Sequence, residues 1–473
     1  MKQQGFVFLL FCLGAIVLRF FSFFPAVINH DESTYIVIAD ALLNGKVYFV
    51  DVIDTKPIGV FLIYAGLMSV FGKSIFVLRL LTAIWMGATA FLLYKTHRSY
   101  GSKERSAIAS GIIYLLLTSI FTFYGVSPNT ECFFNLFTML SLWLILRERG
   151  GLEYVAAGTS LGLGFITKYV VGFDGLAFAL FLFIKQVQKN TSWLKFWGKA
   201  ACLAIGFFAV LFGMYQYYAG LGAMDAFLFH TVEVPKAYPQ EKSWFIHLKF
   251  VGDFLLRYLP ISLFYFSVLI NKRINRNLVL LGVLWSACVL FAILIPGNWF
   301  GHYWIQFMLP FSFIAGLFFE IPMAQIPHWM HRFFNKSLGY TVVAILVVVV
   351  MIFQKQDYYD KVDYPRQVAN YIKPQLPKHE HIYTGNFAQI LYHLLDKESP
   401  TKYVHHSLVW TPKHIRSLQF DVDEVTQDIK DSNPLFITQH KDWKDDRLVS
   451  WLEEAYEVEK TFMNGKIILY RRK

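Results

Sequence analysis

The chain has 473 residues, of which 55% are hydrophobic and only 16% charged, with a mean hydropathy of +0.42; ordinary soluble domains carry about 25% charged residues, so a wholly soluble fold is excluded. The formal net charge of +11 does not describe a nucleic-acid surface, because Lys and Arg fall in short loops between apolar stretches and form no single stripe. Cys12, Cys132, Cys202 and Cys288 all stand inside apolar runs, without the paired spacing of a zinc site or a disulfide framework, and read as packing residues.

In chain order, apolar runs predict roughly eleven transmembrane helices, near 5–24, 75–95, 106–124, 131–147, 152–167, 170–185, 198–219, 250–270, 278–295, 303–320 and 338–353. The first run is long enough to span and precedes no small-x-small cleavage site, so a membrane helix is expected there in place of a signal peptide. With a cytoplasmic N-terminus, the inside loops hold Lys95, Arg98, Lys103, Arg105, Arg147, Arg149, Lys185, Lys189, Lys195, Lys199, Lys272, Arg273, Arg276, Arg332 and Lys336. The outside loops hold Asp31, Glu32, Asp40, Asp51, Asp54, Asp225, Glu233 and Glu241. That follows the positive-inside rule, and an odd number of spans puts the C-terminal part on the outer face.

Two outside loops are long. In the first, 25–72, the spacing of Tyr35, Ile38, Ala39 and Leu42 predicts an interfacial amphipathic helix over 31–44, and 58–71 predicts a second, short apolar helix. The other, about 220–247, carries His230, Glu233, Lys236, Tyr238 and Trp244, and its aromatic content predicts order. After Phe353 the composition turns polar. There the pattern predicts a helix at 364–372, a strand in "HIYTG", a helix in "FAQILYHLL", a strand near 402–405, a helix at 422–430, a strand in "PLFIT", a helix at 447–456 and a terminal hairpin or strand in "GKIILYRR". The expected organisation is a membrane domain over 1–353 and a soluble α/β domain over 354–473 that lacks a glycine-rich phosphate loop.

The chemistry-bearing residues gather in the outside loops. "NHDESTY" sets Asp31 and Glu32 just beyond the first span, where acids also serve simply to open a helix. "DTKPIG" puts Lys56 in the same loop, and Lys168 lies between two short apolar runs, both where the positive-inside rule disfavours a cation; each either snorkels or meets an anion. Glu131 opens the fourth span, as a partner of Lys168 or Lys56 or as a cap. His302 and Tyr303 open a late span, where interfacial aromatics are common, and His230 and Glu233 lie in a loop where solvation is the ordinary reading. Asp174, inside the sixth span, needs a partner that the sequence does not name.

Taken with Arg19 at the end of the first span, these residues resemble the GT-C superfamily of polyprenyl-phosphate-sugar-dependent glycosyltransferases, in the branch of the dolichyl-phosphate-mannose protein mannosyltransferases and the lipid A aminoarabinose transferase. The resemblance is carried by Arg19, Asp31 with Glu32, Lys56 with Pro57, "PNTECFFNLFTMLSLWLILR" with Glu131, "LGLGFITKYVVG" with Lys168, and "GHYWIQFMLP" with His302 and Tyr303. It covers most of residues 5–320 and lies in the order of the motifs, not in any one. A single proline follows Lys56 where aminoarabinose transferases often show two, so their sugar and acceptor are not carried over.

The resemblance implies a polytopic α-helical GT-C-like membrane protein with a small extracytoplasmic C-terminal α/β domain. It further implies an inner-membrane enzyme that moves a sugar, with inversion, from a polyprenyl-phosphate-linked donor to a hydroxyl of an acceptor glycan, lipid or protein. Asp31 would be the general base and Glu32 its companion; Lys56, Lys168, Arg19 and His302 would bind the donor phosphate; Glu131, Tyr303, His230 and Glu233 would line the substrates. No cofactor is required: Asp31, Glu32 and a histidine offer a divalent metal hard ligands, but no spacing fixes them, and Lys and Arg suffice for a lipid phosphate. The rival readings are a transporter or flippase of a lipid-linked or anionic substrate and a membrane-anchored scaffold. Against transport stand the one-sided clustering of polar groups and the lack of an evident repeat.

Overall fold

The computed structural model describes residues 2–120, 125–189, 192–237, 244–322, 336–442 and 446–473. Tyr238, Glu241 and Arg332 lie outside them. The packing divides the chain into two compact units, one of Met1–Phe23, Arg79–Tyr215 and Gln240–Asp357, the other of Phe24–Leu78, Gln216–Pro239 and Tyr358–Lys473.

The first unit is helical, and every predicted span contains a helix. Eight of the described helices are long and apolar enough to cross a membrane, or nine if the pair Trp244–Arg257 and Leu259–Ile270, bent by 99°, counts as one. The expected eleven therefore include two helices that are short by this measure. Glu104–Leu117 has 14 residues and Gly151–Thr167 has 17, and at about 1.5 Å per residue neither covers a hydrocarbon core of about 30 Å. The bend has a local cause, because Pro260 falls at the start of the second helix, where it supplies no N–H to continue the first.

The Trp304–Leu317 helix is buried along its whole length, as expected of a helix that is apolar all round. Its Trp304 stacks on Phe254 with ring centroids 4.2 Å apart. Elsewhere two helices cross at glycine: a Cβ on Gly158 would meet Leu203 O at 1.9 Å, and one on Gly206 would meet Val155 O at 2.0 Å. Backbones approach this closely in membrane bundles only where small residues line the crossing.

The second unit joins three stretches of chain around one core that includes Ile53, Val234 and Tyr403. The His30–Leu43 helix starts where the Asn29 side chain accepts from Asp31 N at 2.9 Å. Residues 32 to 39 are buried without interruption, so the interfacial amphipathic helix expected here is instead enclosed on all sides. Tyr35 meets the rings of Phe61 and Tyr64, both at 5.6 Å, from the Gly59–Phe71 helix. Gln389 Nε2 donates to His30 O and to Thr34 Oγ1, each at 2.9 Å.

The C-terminal residues form a four-stranded sheet of β1 (Ile382–Thr384), β2 (Phe436–His440), β3 (Tyr456–Phe462) and β4 (Ile467–Arg472), in the order β1-β2-β4-β3. The first pair is parallel and the others antiparallel. The predicted helices appear at Tyr364–Ile372, Ile390–Leu394, Val422–Asp431 and Asp446–Ala455. The strand expected near 402–405 is not part of the sheet. Tyr403 bridges Ile53, whose N–H donates to Lys402 O at 2.7 Å, so this stretch pairs with the first loop. Two helices, Ser407–Trp410 and Pro412–Leu418, follow it unforeseen.

Candidate active site

In the second unit the loop after the His30–Leu43 helix is held by Tyr48, whose hydroxyl donates to Asp54 O at 3.0 Å and to Lys56 O at 2.6 Å. This turn points Asp54 inward. Asp54 is 1% exposed, and its Oδ1 accepts from both Lys56 N and Lys56 Nζ at 3.1 Å. Lys56 Nζ also lies 2.9 Å from Asp31 Oδ1, and 5.4 Å from the centre of the Tyr35 ring. Burial pushes the Lys56 ammonium down, but Asp31 and Asp54 outweigh it and hold it well above the usual lysine range. The cluster is thus one cation between two carboxylates. Glu32, 1% exposed, follows Asp31 on the same helix.

His230 stacks on Phe49 with centroids 4.8 Å apart and planes 8° from parallel. Burial, then the charge of Lys402, pushes its imidazole down to about 4, so it is neutral at physiological pH. Glu233 is more than half exposed and pairs with Lys236 at 3.1 Å. Its surroundings favour the solvated reading over a substrate-lining one.

In the first unit the expected residues also meet. Lys168 ends the Gly151–Thr167 helix in an extended conformation, its N–H still bonded to Gly164 O at 2.9 Å. Its ammonium makes a salt bridge to Glu131, which is 1% exposed, and lies 4.4 Å from the centre of the Tyr303 ring. Glu131, Lys168, Tyr303 and Gln306 line a cavity of about 40 Å³. Asp174 has the partners that the sequence withheld: Trp285 Nε1 donates to it at 2.5 Å and Gln306 Nε2 at 2.7 Å. His302 stacks on Phe300 at 5.7 Å and meets the Tyr303 ring edge-on at 4.9 Å.

Arg19 departs from its expected part in phosphate binding. It is 2% exposed, and its guanidinium donates to Gly125 O and, at 3.4 Å, to Thr118 O. A charge enclosed this way ties the Thr118 and Gly125 carbonyls to the first helix, and these buried bonds leave it little face for a ligand. Asp40, which the sequence shows only as an outside-loop acid, is bonded to His393 at 2.6 Å and Lys73 at 2.8 Å. Burial raises this carboxyl, and the interactions with His393 and then Lys73 more than reverse that.

The fold is that of a polytopic α-helical membrane protein. Residues 55–215, which include Lys56, Glu131, Lys168 and Asp174, match the family model of dolichyl-phosphate-mannose-protein mannosyltransferase. Among curated proteins, the chain is 27% identical over 191 residues to an undecaprenyl phosphate-alpha-4-amino-4-deoxy-L-arabinose arabinosyl transferase of Pseudomonas savastanoi pv. phaseolicola, a match covering 37% of this chain and 35% of that one. It is 29% identical over 150 residues to such a transferase of Pseudomonas fluorescens, covering 29% and 27% of the two chains. The chain thus spans about a third of the length of the curated relatives it matches. Among solved structures, ArnT from Cupriavidus metallidurans bound to undecaprenyl phosphate shares the fold at a TM-score of 0.66 and 14% identity, with 98% of each chain covered. The Archaeoglobus fulgidus oligosaccharyltransferase follows it at a TM-score of 0.55 and 10% identity, covering 92% of this chain and 69% of that one. The resemblance read from the motifs is thus found again, by sequence over 55–215 and by fold over nearly the whole chain.

Proposed function

We propose that this protein is an inverting membrane glycosyltransferase that takes a sugar from a polyprenyl-phosphate donor, with Asp31 as the general base. The observation that carries the reading is the Asp31–Lys56–Asp54 cluster, in which one ammonium anchors a partly exposed Asp31 carboxylate beside a buried Asp54. Asp31 takes the proton of the acceptor hydroxyl as its oxygen attacks the anomeric carbon. The bond from that carbon to the phosphate oxygen breaks, and its electron pair leaves with the phosphate. The cation proposed for the donor phosphate is Lys168, which has one carboxylate partner and lines a cavity. In this reading cationic side chains, without a metal, neutralise the leaving group.

The relatives and structures that support the reading are named for transferases, and one of them was solved with undecaprenyl phosphate. The acceptor in this reading is a glycan, lipid or protein hydroxyl, met on the extracytoplasmic face. The test is incubation of the membrane-inserted protein with a defined polyprenyl-phosphate sugar and lipid, glycan and protein acceptors. Release of polyprenyl phosphate with an inverted product anomer is expected, and a retained anomer would overturn the mechanism.

A further inference from the structure

Tyr303 and Glu320 stand at opposite ends of one helical stretch, Gly301–Glu320. Lys168 is at the Tyr303 end, and a separate feature lies at the other. There the Ile75–Ser99 helix closes on a turn in which Tyr100 N and Ser102 N both donate to His97 O at 3.1 Å. Gly101, at φ +80°, makes the left-handed step that such a cap needs. Between this corner, the turn at 273–275 and the end of the Gly301–Glu320 stretch lies a cavity of about 270 Å³, whose polar lining comes from Tyr100, Ser102, Lys103, Arg273, Asn275 and Glu320.

Two independent observations give this cavity a ligand chemistry. Ser102 is 4% exposed, yet its hydroxyl finds no hydrogen-bond partner among the described residues, which is uncommon for a buried polar group without a ligand. Lys103 and Arg273 both stand on the cavity wall beside Glu320, whose carboxylate accepts from Lys103 N at 2.5 Å. Both cations are exposed residues at the ends of helices, where headgroups of a surrounding bilayer are met.

We infer that this cavity binds a phosphate group, that of a phospholipid headgroup in the leaflet at this end of the helices. Ser102 supplies a donor, and Lys103 and Arg273 the charge. Basic pockets between membrane helices take lipid headgroups in this manner, and the site lies apart from Lys168 and needs no catalytic role.

The test uses the full chain in detergent. Short-chain dihexanoyl phosphatidylglycerol is titrated against thermal stability, beside dihexanoylglycerol, which lacks the phosphate, and inorganic phosphate. The expected result is a rise in Tm with the phospholipid alone, and an apparent affinity weakened roughly tenfold or more in Arg273→Gln and several-fold in Ser102→Ala. Arg273 is exposed and Ser102→Ala removes a single hydroxyl, so both variants remain measurable. An equal rise with dihexanoylglycerol, or unchanged affinity in both variants, would overturn the site. An equal rise with inorganic phosphate at the same concentration would overturn its assignment to a lipid.

Discussion

Asp31 and Asp54 share one ammonium: Lys56 Nζ lies 2.9 Å from the first carboxylate and 3.1 Å from the second. The two acids differ in setting. Asp54 is 1% exposed, whereas the Asp31 side chain is 20% exposed, and only the latter is open to a substrate. In the proposed reaction that difference makes Asp31 the base and Asp54 its scaffold.

Asp31→Asn keeps the shape of the side chain and removes its basicity. Transfer from a polyprenyl-phosphate sugar is expected to fall about a hundredfold to ten-thousandfold, the usual cost of a lost general base. Glu32→Gln, at a position 1% exposed, is expected to cost less. Turnover of folded protein in membranes decides between them, and a crippled Glu32→Gln beside an active Asp31→Asn would move the base to Glu32.

Lys56→Met strands the buried Asp54 carboxylate, and breaking such a pair from one side costs about 3 kcal/mol or more. The double variant Lys56→Met, Asp54→Asn leaves only the partly exposed Asp31 carboxylate without this cation and is expected to regain most of that stability. Activity is expected to stay low in both, because Asp31 has lost the group that orients it. Thermal melts beside turnover separate the two effects, and a double variant with restored activity would reduce Lys56 to a counter-ion.

The same logic tests Lys168 against Glu131. Lys168→Met leaves Glu131, 1% exposed, without its cation, and Lys168→Met, Glu131→Gln removes the imbalance. If Lys168 meets the donor phosphate, the double variant folds but binds the donor roughly tenfold to a hundredfold more weakly, the worth of a charge-assisted contact. Donor titration in membranes is the measurement, and wild-type affinity in the double variant would leave Lys168 a structural partner only.

What the sequence could disclose here was set by distance along the chain and by topology. Lys56 and Lys168 were legible because a cation on the outer side breaks the positive-inside rule, and Asp31 because it forms an acidic pair with Glu32 just beyond the first span. Asp54 was visible only as one more loop acid, because its inward turn depends on the Tyr48 hydroxyl bonding two backbone carbonyls. Arg19 was legible as a cation but not as the clasp of Gly125 O and Thr118 O, since backbone carbonyls carry no sequence signal. The His30–Leu43 helix misled for a similar reason: its periodicity was read as one wet face, while Phe61, Tyr64 and Gln389 cover it from other parts of the chain. The stretch at 402–405 has strand-like residues, but its partner is Ile53, far away in sequence.

The glycine crossing makes a prediction about assembly. Gly158→Ala places a methyl group where Leu203 O would lie 1.9 Å away, and Gly206→Ala does the same against Val155 O at 2.0 Å. Backbone on the far side leaves no soft neighbour to yield, so either change is expected to cost about 1–3 kcal/mol through separation of the two helices. Gly213→Ala, with nothing within 4 Å, is the control and is expected to match the wild type. Detergent-solubilised yield and Tm read the difference.

The last prediction concerns acid and the second unit. Burial is the leading cause that pushes three of its histidines down, His230 to about 4, His406 to about 3 and His414 to about 4, whereas an unfolded histidine titrates near 6.5. Between about pH 6.5 and 4 the unfolded chain therefore binds protons that the folded unit refuses, and stability falls as the pH falls through that window. Above about pH 6.5 both states are neutral and the contribution is fully present. The slope is at most about 1.4 kcal/mol per pH unit for each histidine, and less for groups that keep some contact with water. Asp40 acts in a different range: its carboxyl is held below the usual value, so its contribution is present at pH 5 and fades only below about 3.9. Hydrogen exchange of the full chain, followed in peptides covering 224–237 and 403–420, is expected to speed up from pH 6.5 to 4.5 after correction for the intrinsic rate. His230→Phe, which keeps a ring against Phe49, is expected to flatten that dependence in the first peptide, and an unchanged slope there would show that its titration does not govern the opening.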